Sequence, residues 1–295
     1  VGVIFVLIFV ISGALNPVWI KTAYAEGATP LALVVWQGIC AFLLYIVFAL
    51  IRGREKYRAE KGEIIRYILL GALGMFLTYT LMNLSMERLQ ASYTIMLFFC
   101  HPAFVLLANY LIYKVRLHWL DIVTLLFILS GVYVLTRPQG SPGDVWGIIL
   151  ALGSGAAQAF YILYSGRVSK GDPLKVAFYA QGGCFAACLL MIPLIGLQPL
   201  SAVAGMKFGF ILALVTSLVG TIFFLKGVGL IGSNRAALIG VTNLPLSLFL
   251  TLLILKEEPT GHLWGGFLLI LAGLLVDALA RFWRESKREH ETKTA

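Results

Sequence analysis

The sequence predicts an all-α polytopic membrane protein of ten transmembrane helices, arranged as two inverted five-helix repeats. Three observations carry that fold class. Of the 295 residues, 60% are hydrophobic and only 13% charged, at a mean hydropathy of +0.90. A water-soluble domain clothes its surface with about 25% charged residues, so this surface faces lipid. Ten apolar runs, with no more than one acidic residue in any, approach the roughly 20 residues that cross a bilayer. The chain also matches itself at a nearly constant offset.

In chain order the runs are Val1 to Ile20, Leu31 to Ile51, Tyr67 to Met86, Leu89 to Tyr113, His118 to Leu135, Val145 to Tyr164, Val176 to Leu197, Phe208 to Leu225, Ala236 to Leu255 and Pro259 to Leu279. The loops between them are short. None is long or polar enough for a soluble catalytic domain, which places any function between the helices or at their ends. Ala23-Tyr24-Ala25 after the first run resembles a signal-peptide cleavage site, but the run exceeds the usual apolar core of about 7 to 15 residues. It is read as a true helix, with a short preamble expected before Val1.

Lysine and arginine outnumber aspartate and glutamate by 23 to 14. In a soluble chain that excess points to nucleic acid; in a membrane chain its distribution sets orientation. With the N-terminus inside, the inner segments carry Arg52, Arg54, Lys56, Arg58, Lys61, Arg66, Lys114, Arg116, Arg167, Lys170, Lys175, Lys226, Arg235, Arg281, Arg284, Lys287, Arg288 and Lys293. The outer loops keep only Lys21, Arg88, Arg137, Lys207 and Lys256. Both termini are therefore expected in the cytoplasm of a bacterial-type inner membrane. The tail 282–295 is expected on the lipid surface rather than on nucleic acid. Trp19, Trp119, Trp146, Trp264 and Trp283 sit near run ends, as an interfacial belt requires. Cys40, Cys100, Cys184 and Cys188 lie inside apolar runs; one helix turn is poor disulfide geometry and no metal co-ligand joins them, so they read as packing residues.

The internal match organises the chain. Pro30 and Pro173 open the second and seventh runs, and Pro102 and Pro245 sit in the fourth and ninth at the same spacing. Gln37-Gly38 recurs as Gln181-Gly182, and Gly131 in Ser-Gly-Val as Gly273 in Ala-Gly-Leu. Residues 1–137 and 145–281 thus read as two five-helix halves. Five is odd, so the second half enters the membrane from the opposite side. Such a pair has two related arrangements of similar energy, one open to each face, which is the basis of alternating access. The pattern implies a carrier.

These residues resemble the EamA branch of the drug/metabolite transporter superfamily over nearly the whole chain. The second half keeps the pattern as Asn243-Leu244-Pro245, then Leu255-Lys256-Glu257-Glu258-Pro259-Thr260, then Gly265-Gly266 and Ala272-Gly273. The first half departs from it: Tyr113-Lys114-Val115-Arg116 stands where the family usually carries a glutamate, and Asp121 where a glutamine is frequent. The resemblance implies a ten-helix carrier whose central cavity is walled by the first, third, fourth, sixth, eighth and ninth helices. It also implies peripheral fifth and tenth helices, which in some members form a homodimer contact. Gly261 and Gly265 form a Gly-x-x-x-Gly step that permits close approach in the tenth.

An ionisable group deep in a bilayer costs at least about 2.5 to 3.5 kcal/mol on insertion scales, which makes it a functional candidate. His101 lies near the middle of the fourth run, before Pro102, whose missing N–H frees a carbonyl one turn earlier. Its imidazole can bind substrate, take a proton, or bond that carbonyl. Lys226 falls near the inner end of the eighth run, where it either snorkels or, with Arg235, attracts an anionic substrate. Asp277 reads as an interfacial group. Asn16, Tyr79, Asn83, Gln158, Tyr161, Thr216, Thr221 and Asn243 are uncharged polar candidates for a mixed aromatic cavity, with Trp36 and Gln37 less supported; each serves equally as glue between helices.

The sequence is therefore expected to be a secondary carrier, an exporter, that rocks two halves about Pro102 and Pro245. Its substrate would be a small organic metabolite, an amino acid or related carboxylate, with protons as a coupling ion. A neutral purine-like or sugar substrate is one alternative, and a non-transporting scaffold or receptor subunit another. No nucleotide or metal motif is present, so neither catalysis nor a cofactor is expected.

Overall fold

The computed structural model describes residues 1–136, 144–168, 172–196 and 203–294, with positions 54, 166, 168, 233, 234 and 284–294 given by backbone alone. Arg137, Lys170 and the side chains of Arg54, Arg284, Lys287, Arg288 and Lys293, which contribute to the charge asymmetry, lie outside the described residues. Among the described residues there is no strand. Among the described residues, nine helices are long and apolar enough to cross a membrane: Gly2–Ala25, Pro30–Arg52, Lys61–Arg88, Ala91–Leu111, Val145–Ser165, Pro173–Ile195, Val203–Ile231, Arg235–Ile254 and Gly261–Trp283. A shorter apolar helix, Trp119–Leu135, stands between the fourth and sixth in the order of runs.

Local chemistry sets several boundaries. Thr29 and Asp172 accept hydrogen bonds from the backbone N–H groups of Ala32 and Leu174, and each is followed by a proline at the first helical position, where its fixed φ suits the helix and its missing N–H costs nothing. The same two spans stop at Gly53 and Gly196, whose φ values of 100° and 80° favour glycine. The fifth helix begins at Trp119 because His118 is its cap, bonded reciprocally with Asp121. Apolar runs mark the membrane-crossing portion rather than the whole helix. The third therefore starts earlier, at Lys61, the eighth extends to Val203 and Ile231, and the tenth continues to Thr294. The first is interrupted at Leu15, ahead of Pro17.

Irregular backbone recurs at matching places. The fourth span breaks at Phe99–Cys100 before His101-Pro102, and the ninth at Val241–Thr242 before Asn243-Leu244-Pro245. The third and eighth spans each widen into a π-helical stretch, Gly71–Met75 and Ala213–Gly220. Such stretches in long helices are frequent at functional sites.

The first span lies against the eighth and ninth, and the sixth against the third and fourth. The second crosses the seventh and also meets the eighth, while the seventh also meets the third. The fifth runs along the tenth. At the third–seventh crossing a Cβ on Gly71 would run into the Ala180 carbonyl, and one on Gly183 into that of Ile68. The fifth and tenth approach through Gly131, Gly266 and Gly273. Gly261 faces open space and Gly265 makes only an ordinary contact with Val134, because the contact face of the tenth runs along Gly266, Ile270 and Gly273.

Polar contacts join loops in two sets, as an alternating topology demands. On one face Arg52 pairs with Asp172 at 2.9 Å and Lys175 with Glu63 at 3.3 Å, and the Arg167 guanidinium sits 3.0 Å over the Tyr113 ring. On the other, Arg88 pairs with Asp144 at 3.0 Å and Lys207 with Glu26 at 2.9 Å. The Arg88 hydrogen bond holds the Asp144 carboxyl below its ordinary range.

Candidate functional site

Pro102 removes the donor that would have bonded the carbonyl of Phe98, and the His101 ring fills the gap: Nδ1 lies 3.2 Å from Phe98 O. With Nδ1 donating, Nε2 is left as the ring's acceptor. The bond open to His101 at the level of sequence is thus made, yet the ring remains half-buried and lines a cavity.

That cavity, of about 160 Å³, lies among the fourth, sixth, ninth and tenth spans. Phe99, Val105, Ile162, Val241 and Leu274 supply apolar wall; His101, Asp277 and Arg281 supply the ionisable groups. The tenth helix, expected at the periphery, contributes one wall, and the first, third and eighth contribute none to this cavity. Asp277, expected at the interface, is 8% exposed and bonded to Arg281 at 2.9 Å. Spacings of four, three and four put Asp277 on the same stripe as Gly266, Ile270 and Gly273, and beyond the glycine contacts with the fifth span that stripe, with Arg281 four residues on, lines the cavity. At 1.5 Å per residue His101 is roughly 15 Å into its span and Asp277 roughly 24 Å into its own. The cavity therefore runs from mid-membrane toward the face carrying Arg52 and Asp172.

A second polar cluster lies deeper between the halves. Gln37 Nε2 donates to Ser217 Oγ at 3.5 Å and the Tyr45 hydroxyl to the Ser217 carbonyl at 2.9 Å. Tyr79 and Tyr161 lie within electrostatic reach of this group. On the seventh span Gln181 is fully buried with neither amide atom hydrogen-bonded. In a low-dielectric interior an unbonded amide is costly.

The other candidates are dispersed. Asn83 bonds the Tyr24 hydroxyl at 2.8 Å and the Tyr79 carbonyl at 2.9 Å, and Asn243 reaches the Val10 carbonyl at 3.4 Å, both between or within helices. Thr216 bonds back to Leu212 O. Asn16 Oδ1 is buried without a partner, and Gln158 is half-buried. Trp36 packs on Gly205 and Gly209 of the eighth span. Lys226 and Arg235 are exposed and do not line the cavity, whose cation is Arg281. Pro102 lines it; Pro245, half-buried, follows the ninth-span break. Sequence reasoning had passed over Tyr45, Ser217 and the Asp277–Arg281 pair. Only the last left a signal, as the single acidic residue of its apolar run with an arginine four residues on.

Known proteins are similar to this chain. An uncharacterized transporter of Bacillus subtilis, YcbK, is 25% identical over 268 residues, covering 87% of this chain and 86% of its own. An uncharacterized inner membrane transporter of Salmonella typhimurium, YicL, is 26% identical over 259 residues, covering 81% and 82%. An uncharacterized transporter of Synechocystis, sll1319, is 27% identical over 216 residues, covering 68% of this chain and 64% of its own. One crystal structure superposes at a TM-score of 0.61 over 95% of this chain and 96% of its own, at 18% identity, which shows a shared fold. The model of the EamA-like transporter family matches twice, at residues 1–137 and 145–277. The chain is a multi-pass membrane transporter that belongs to the EamA-like transporter family.

Proposed function

We propose that the protein is a secondary carrier that moves a small amino acid or related carboxylate outward across the inner membrane by alternating access, with both termini cytoplasmic. The observation that carries the substrate class is the cavity holding one carboxylate, one guanidinium and one imidazole within apolar walls. A zwitterion answers that set: its carboxylate takes the Arg281 fork and its ammonium takes Asp277, so one ion pair is exchanged for two and no net charge is left in low dielectric. His101 Nε2 lies beside them as a proton acceptor. The volume is small against the roughly 300–1,000 Å³ of drug-sized pockets, which favours a ligand of few heavy atoms.

The mechanism draws support from packing. Exchanging each span for its counterpart five later maps the first–eighth contact onto the sixth–third, and the ninth–first onto the fourth–sixth. The second–seventh and fifth–tenth contacts map onto themselves. Together with the family model matching twice, this supports two inverted halves rocking about the breaks at Pro102 and Pro245. The uncharged cluster of Tyr45, Tyr79, Tyr161 and Gln37 favours a second reading, a neutral purine-like or sugar substrate bound between aromatic faces.

A thermal-shift series on purified protein separates the readings. L-valine, 3-methylbutanoate and isobutylamine share a side chain and differ in charge. A ligand at roughly 100 times its Kd adds about 2.7 kcal/mol of stability. Valine is expected to raise Tm while the two singly charged analogues do not. Stabilisation by adenine or a hexose alone would establish the second reading, and no response across amino acids, carboxylates, purines and sugars would favour a scaffold.

A further inference from the structure

The turns after the fourth and ninth spans share a backbone and differ in chemistry. Lys114 and Lys256 are the non-glycine residues described with positive φ, at 52° and 54°, and they occupy corresponding places in the two halves. The residue that follows is Val115 in one turn and Glu257 in the other.

Glu257 reaches across to the fourth span. Its carboxylate accepts the backbone N–H of Ala91 at 2.7 Å and of Ser92 at 3.0 Å. These donors open the helix Ala91–Phe98 and have no acceptor within it. A negative charge is favoured at that end, and charge-assisted bonds are about twice as strong as neutral ones. Three residues on, Thr260 shares a hydrogen bond of 2.8 Å with the Tyr93 hydroxyl. The second half is thus fastened to the mouth of the first. The corresponding donors, at the start of the helix Ser233–Gly240, would fall to residue 115, and Val115 carries no acceptor and is 54% exposed.

The two mouths differ to match. Ile95, one turn into the fourth span, is 2% exposed, whereas its counterpart Ala237 in the ninth lines the cavity. Of the apolar stretch of the fourth span 61% is buried, against 22% of the ninth.

We infer that Glu257 is a one-sided latch: it holds the transport path closed on its own face of the membrane, and the valine at 115 leaves the opposite face as the resting opening. The inference rests on the alternating-access reading above. It makes the carrier asymmetric by chemistry although its turns are alike in shape.

Two introduced cysteines test it without a known substrate. Ile95→Cys and Ala237→Cys are labelled with a membrane-impermeant maleimide from the Glu257 face and the opposite face of oriented vesicles, over the background of the unsubstituted protein. In the parent chain Ala237→Cys is expected to label and Ile95→Cys to be protected. Glu257→Gln, which keeps the shape and removes the charge, is expected to raise the Ile95→Cys rate about tenfold and lower that of Ala237→Cys. Val115→Glu is expected to protect Ala237→Cys by supplying the missing cap. Unchanged rates in Glu257→Gln overturn the latch while leaving the carrier reading intact, provided saturating ligand still moves the two rates in opposite directions. Rates that no variant and no ligand of the thermal-shift series moves overturn both. A loss of folding in Val115→Glu is recognised by its melting curve and leaves the Glu257→Gln comparison to decide.

Discussion

Replacing Gly183 with alanine is expected to lower the melting temperature by at least about 5 °C, or to remove the monodisperse protein altogether. The added methyl would meet the carbonyl of Ile68, and Gly71 faces the carbonyl of Ala180 in the same crossing. Overpacking a close interface costs about 1–3 kcal/mol where side chains can yield, and more where the obstacle is backbone. Here both obstacles are backbone, and the third and seventh spans belong to different halves, so separating them disturbs the contact about which the halves would move. Gly229→Ala is the control: nothing lies within 4 Å of a Cβ there, and the helix gains propensity. Fluorescence-detected size exclusion and a melting curve for the two variants check the prediction, and equal Tm values would show that the crossing is less tight than it stands.

Neutralising Asp277 is expected to weaken a zwitterionic substrate at least tenfold while admitting its des-amino analogue. In Asp277→Asn the Arg281 guanidinium keeps its charge for a ligand carboxylate, but the ligand ammonium loses its partner. Truncating one member of a buried charge pair costs about 2–5 kcal/mol, to be discounted here because the Arg281 side chain is 42% exposed. Arg281→Gln is expected to show the reverse preference, for isobutylamine over 3-methylbutanoate. Binding of valine and its two analogues to both variants, by calorimetry, checks this; a uniform loss for all three ligands would assign the pair to packing.

What the sequence made legible is what is local. The spans follow from hydropathy, the starts of the second and seventh from Thr29-Pro30 and Asp172-Pro173, and the His101–Phe98 bond from Pro102, the residue after His101. What it hid depends on which helices meet. Hydropathy cannot say that Asp277 on the tenth span shares a cavity with His101 on the fourth, since that depends on how the two spans pack. Nor can it say that Asn83 and Asn243 find partners in Tyr24 and Val10, residues distant in sequence. Lys226 and Arg235 drew attention by charge alone, but the polar atoms that converge on a cavity belong to residues whose neighbours come from three other spans.

The central claim is that the two halves exchange a small amino acid across the membrane, and counterflow in proteoliposomes tests it most directly. Vesicles preloaded with unlabelled valine are expected to accumulate labelled valine transiently above equilibrium, and Asp277→Asn vesicles to lose that overshoot. Vesicles that show no overshoot with any amino acid or carboxylate, from protein that melts cooperatively, would contradict the account.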